Sequence, residues 1–112
     1  MQLPGENLDH WFVRCNIAGA AAAYADVVVL QDQVNTTNLA EFDYLFNTTH
    51  HQALAANPRI QFDAEVSTNY GTAGQMAAAA RSVSADGYYI NETTPAIAQA
   101  GQFLQEMQAA GY

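Results

Sequence analysis

Two glutamates, Glu65 and Glu92, stand at or near the ends of short apolar stretches, where a sheet would set them on neighbouring strands. Carboxylates so placed lie within the roughly 5–10 Å that a glycosidase-type acid and its partner base or nucleophile require. Around them the chain offers Gln31, Gln33, Ser67, Asn69 and Asn91, with the aromatic Tyr89 two residues before the last of these. Amides and hydroxyls both donate and accept hydrogen bonds, which suits the hydroxyl groups of a saccharide. The same groups suit a structural network that ties strand ends together. Glu65 also reads as a polar inner-face residue, and Glu92 as a solvated loop acid.

Other chemistries find less support. His50 and His51 are adjacent, so on a helix they point about 100° apart and do not form the i, i+4 pair a metal ion would want; His10 adds no useful spacing, and no metal site is read. Asp9, His10 and Cys15 lack the elbow motif of a hydrolase nucleophile. Gly71 and Gly74 are isolated, so no phosphate-cradling loop and no cofactor is expected. Asn35-Thr36-Thr37, Asn47-Thr48-Thr49 and Asn91-Glu92-Thr93 fit the N-glycosylation pattern but read equally as polar turns and helix positions.

Three strands must position the polar groups. The central one spans Ile60 to Asn69 after a break at Pro58, and its counterparts run from Asp26 to Gln33 and from Asp86 to Glu92. Each starts apolar and ends polar, so parallel strands would bring the polar groups to one end of a sheet, where α/β folds place their ligand sites. Side-chain alternation groups Gln31 with Gln33, Glu65 with Ser67 and Asn69, and Tyr89 with Asn91. The run Val27 to Leu30 is continuously apolar, the mark of a strand covered on both faces.

Helical periodicity fills the rest. Leu8, Trp11, Phe12, Cys15, Ala18, Gly19 and Ala22 predict one amphipathic helix from Glu6 to Tyr24, with Cys15 on its apolar face. Asn38 with Glu41, and Thr72 with Gln75, have capping-box spacing at the starts of two more helices. Thr94-Pro95 opens a fourth, which Gly111 closes. Strand starts roughly 30 residues apart match a right-handed crossover unit, so the chain reads as a single α/β domain, helix followed by three strand–helix units.

Composition bounds the partners. The chain has 112 residues, no lysine and three arginines against 11 acids, for a formal charge of −8. That charge argues against nucleic acid and anionic membrane surfaces. The apolar run from Ile17 to Leu30 is too short to span a bilayer. No basic segment followed by an apolar core is visible at the start, so no signal peptide is expected.

Gln31-Asp32-Gln33, Ala55-Ala56-Asn57-Pro58, Ser67-Thr68-Asn69 and Asp86-Gly87-Tyr88-Tyr89-Ile90-Asn91 occur in that order over residues 24–92. This series resembles the C-terminal part of a family of uncharacterised actinobacterial secreted proteins with glycoside-hydrolase-like (β/α) barrels. The resemblance implies a barrel segment and a carbohydrate-related site. Tyr89 stands where that family commonly has tryptophan, and Glu65 where it more often has a small residue. A closed barrel needs about eight strands, so three leave open edges, and self-association through an edge or the inner face is expected. Three uses follow: a non-catalytic binding module with possible saccharide specificity, a hydrolase using Glu65 and Glu92 that is completed by oligomerisation or a longer chain, and a structural self-assembling protein.

Overall fold

The computed structural model describes residues 1–91 and 97–112. The chain runs α1 (Leu8–Arg14), α2 (Ile17–Ala22), β1 (Val27–Leu30), α3 (Leu39–Ala56), β2 (Gln61–Ser67), α4 (Ala73–Arg81), β3 (Tyr88–Asn91) and α5 (Ile97–Ala109), with 3-10 turns at Gln33–Asn35 and Thr68–Tyr70. The strands form one parallel sheet in the order β1-β2-β3. Val27 to Leu30 pair with Gln61 to Ala64, and Ala64 to Ser67 pair with Tyr88 to Asn91.

The apolar core lies on one side of the sheet. Phe62, Ala64 and Val66 of β2 are fully buried, and Val28, Leu30, Tyr88 and Ile90 join them on the same face. Every helix packs onto this face: Phe12 from α1, Ala18 and Ala22 from α2, Phe42, Leu45 and Phe46 from α3, Met76 and Ala80 from α4, and Phe103 and Met107 from α5. Phe46 meets Phe62 edge-on at 5.2 Å. The period of two then assigns Gln61, Asp63, Glu65 and Ser67 to the opposite face, together with Val27, Val29, Gly87, Tyr89 and Asn91. Among the described residues the core helices pack on the other face, yet Asp63, Glu65 and Ser67 on this one are buried too. β1 is an edge strand with Val27 43 % exposed, not a strand covered on both sides.

The first helix is broken, where one continuous helix was expected. Asn16 takes the left-handed conformation (φ 51°, ψ 42°), which asparagine tolerates better than most residues, and the chain restarts as α2. The bend is held by Gln52 Nε2 of α3, which donates to the Val13 carbonyl at 2.8 Å. Gly19 leaves room for the Asn16 side chain, because a Cβ there would overlap its amide. The break turns Cys15 to the surface, correcting its expected burial. His50 is half-buried, with its ring stacked on Phe62 at 5.0 Å.

Several motif residues do structural work. Asn57 Nδ2 donates to the carbonyls of Ala22 and Ala25, tying the end of α2 to the start of β2. Asp86 Oδ2 accepts the Phe62 N–H at 2.8 Å, extending the β2–β3 pairing by a side chain. Thr72 and Gln75 form the expected reciprocal capping box, and Gly111 (φ 90°) ends α5 with Tyr112 N–H bonded to the Met107 carbonyl. The expected Thr94-Pro95 helix start lies outside the described residues.

Gly87 is tied to Asp63 across the sheet. A Cβ at Gly87 would sit 2.9 Å from Asp63 Oδ1, while Gln61 Nε2 holds both carboxylate oxygens at 3.3 and 3.2 Å. Gly87→Ala is expected to destabilise the fold by about 1–3 kcal/mol in urea unfolding, as overpacking does elsewhere. The loss should shrink in an Asp63→Ala background; an equal loss in both backgrounds would mean that the carboxylate is not what Gly87 accommodates.

Candidate functional site

The strand ends bring together some of the expected residues and separate others. Register places Tyr89 beside Glu65 and Asn91 beside Ser67, all four on the face opposite the core. Tyr89 is 51 % exposed and Glu65 only 9 %. Ser67 is fully buried, and its hydroxyl accepts the Asn69 N–H at 3.0 Å, capping the 3-10 turn that follows β2. Asn91 is exposed. Glu92, the second member of the expected carboxylate pair, lies outside the described residues.

Gln33 and Asn69 are not strand residues, which corrects their expected grouping. β1 stops at Leu30 and β2 at Ser67, and both side chains belong to the 3-10 turns beyond. Alternation fails there because a turn of three residues replaces the period of two. Gln33 Oε1 is buried without a hydrogen-bond partner among the described residues, whereas Asn69 is exposed. Gln31 is exposed and faces a cavity at the β1 edge, which it lines together with Leu8 and Asp9 of the α1 segment.

A group of acids at the end of β1 was not singled out from the sequence. Asp32 is fully buried. Asn35 Nδ2 donates to Asp32 Oδ1 at 2.8 Å and to Asp9 Oδ2 at 3.2 Å, so one amide joins α1 to the end of β1. Asp32 Oδ2 and Glu41 Oε1 are buried without a partner among the described residues. Burial pushes the Asp32 carboxyl up to about 8; the Asn35 amide pulls it down, and the charges of Asp9, Glu41 and Asp43 push it further up. Glu41 is raised chiefly by a hydrogen bond with the Asp9 carboxyl, then by burial, with His10 opposing. The capping box suggested by this spacing forms only in half: Asn38 Oδ1 accepts the Glu41 N–H.

Only a contact map could have found this group. Asp9, Asp32 and Glu41 are far apart in sequence and sit in unrelated motifs. The sole local hint was an aspartate immediately after an apolar strand, flanked by glutamines. Among the described residues no three Asp, Glu, His or Cys side chains are arranged to hold a metal ion, and no described helix is long and apolar enough to cross a membrane. No protein-family model, curated protein or solved structure matches the chain.

A carboxyl that is protonated in the folded state and ionised when unfolded stabilises the fold most at low pH. For Asp32 that contribution is complete below its unfolded pKa, near 4, and is lost as pH rises through about 8. Asp32→Asn keeps the shape and removes the ionisation. The variant is expected to unfold at higher urea than the parent at pH 8.5, by at least about 1 kcal/mol, with the difference narrowing towards pH 4. A parent whose stability rose with pH over this window would contradict the assignment.

Proposed function

We propose that the chain is a non-catalytic binding module whose polar sheet face takes a carbohydrate-type ligand at the carboxyl ends of β2 and β3. The observation that carries this reading is the exposed ring of Tyr89 in register beside Glu65, with Asn91 next to it on the same strand face. An aromatic ring fixed on a strand offers an apolar platform for a sugar's C–H face. A carboxylate and an amide beside it supply acceptors and a donor for hydroxyls. Support for binding over turnover comes from Asp63, the other acid of β2 on this face: it is 1 % exposed, held by Gln61 and walled by Gly87.

The (β/α) barrel resemblance belongs to the same reading. Sequential strand order with every described helix on one side is the arrangement of a segment of a singly wound barrel. An inner face of mixed polarity and an outer edge of β1 that no described strand pairs favour association of copies. On this reading light scattering across concentration should give a mass above one chain, and a monomer at all concentrations would remove self-association from it.

Binding is tested by titrating the labelled chain with cello-, xylo-, malto- and chito-oligosaccharides and following amide resonances. Shifts are expected at Glu65, Tyr89 and Asn91 with at least one series. Tyr89→Ala should weaken that binding roughly five- to tenfold, the value of losing about 1 kcal/mol of ring contact. Glu65→Gln should retain much of it. No shift at these residues with any series would overturn the proposal. Hydrolysis of a bound oligosaccharide that Glu65→Gln abolishes would instead select the glycosidase-like alternative, with Glu65 and Glu92 as its carboxylates.

A further inference from the structure

A second site lies at the free edge of β1, between that strand, α1 and α2. It is a cavity of about 380 Å³, within the usual range for small-molecule pockets. Leu8, Phe12, Ile17, Ala21 and Leu45 give it apolar walls, and Asp9 and Gln31 are its polar lining residues. Leu8 is 63 % exposed at the surface of this region.

The polar end is short of positive charge. Asp9 shares the Asn35 amide with Asp32, which is fully buried and has one carboxylate oxygen without a donor. Glu41 Oε1 and Gln33 Oε1 are also buried without donors among the described residues. Asp43 adds its charge to the field at Asp32. Arg14 is engaged elsewhere, with Nε and Nη2 on the Glu6 carboxylate. A carboxylate that lines an otherwise apolar cavity, with other acids behind it, asks for a donor that carries positive charge. A bare metal ion does not suit the arrangement of the acids. An ammonium group supplies three donors and one charge.

We propose that this pocket binds a small organic amine, with its apolar body between α1, α2 and β1 and its ammonium group at Asp9. A cation at Asp9 favours the ionised form of Asp32 behind it, so binding releases protons from the Asp32 carboxyl near neutral pH. The site is separate from the strand ends of β2 and β3 and does not depend on what binds there.

The experiment is calorimetric titration of the full chain with phenethylamine and with its neutral counterpart, phenethyl alcohol, in two buffers of different ionisation enthalpy. Amide shifts of Leu8, Phe12 and Ala21 locate the site. The amine is expected to bind at least about tenfold more tightly than the alcohol, the difference made by a charge-assisted hydrogen bond, with heats that differ between buffers by the amount of proton release. Asp9→Asn leaves an acceptor for Asn35 and should bring the amine down to the affinity of the alcohol. Ala21→Phe, from the exposed side of α2, should weaken both ligands. Equal affinity of amine and alcohol for the parent chain overturns the proposal without reliance on any variant. So does the absence of binding by either, or an Asp9→Asn chain that binds the amine as the parent does.

Discussion

Alternation along β2 governs the molecule. Phe62, Ala64 and Val66 must lie under the helices, and because successive side chains point oppositely, Asp63, Glu65 and Ser67 must lie on the other side. A shift of one residue in register would bury two acids against α3 and α4, so the pairing with β1 and β3 is strongly specified. The sheet can therefore be apolar on one face and polar on the other only while these three strands hold their present order. Everything the polar face offers to a ligand follows from that requirement.

The second organising fact is electrostatic. With three arginines and no lysine, the chain cannot neutralise its acids pairwise, and the group at the end of β1 shows how it manages without cations. Burial pushes the Asp32 carboxyl up, the neighbouring Asp9 carboxyl pushes Glu41 the same way, and a single asparagine amide serves two carboxylates. Desolvation makes the neutral forms preferable there. The same arrangement would be costly on an exposed surface only in the weak sense that it would be unnecessary, since water would solvate each acid.

Much of the fold was legible because it rests on local patterns. The β-branched run Val27–Leu30, the alternation through Phe62 and Val66, and the Thr72–Gln75 capping box each encode an element within a few residues. The split of the first helix was not, because its apolar spacing continues through Asn16 and the break depends on Gln52, 39 residues from Val13, to satisfy a freed carbonyl. Gln33 and Asn69 were misplaced for a related reason: alternation is visible in a sequence, but the residue at which pairing stops is set by neighbouring strands. The candidate site was legible as a pair of strand ends, with Tyr89 and Asn91 together on the face opposite the core. The acid group at β1 was not, since it is assembled from α1, β1 and α3. Asn57, Asp86 and Gly87, which stood out as motif members, are occupied with tying α2 to β2 and β2 to β3, so a shared motif here reports architecture before chemistry.

Asn35 is the one point on which two carboxylates lean. Its side-chain nitrogen is the donor shared by Asp9 and Asp32, and a carboxylate in its place would have no hydrogen to give. That change at this one residue would exchange a donor for another acceptor in a place already short of donors. Three carboxylates would then face one another where one amide had bridged two.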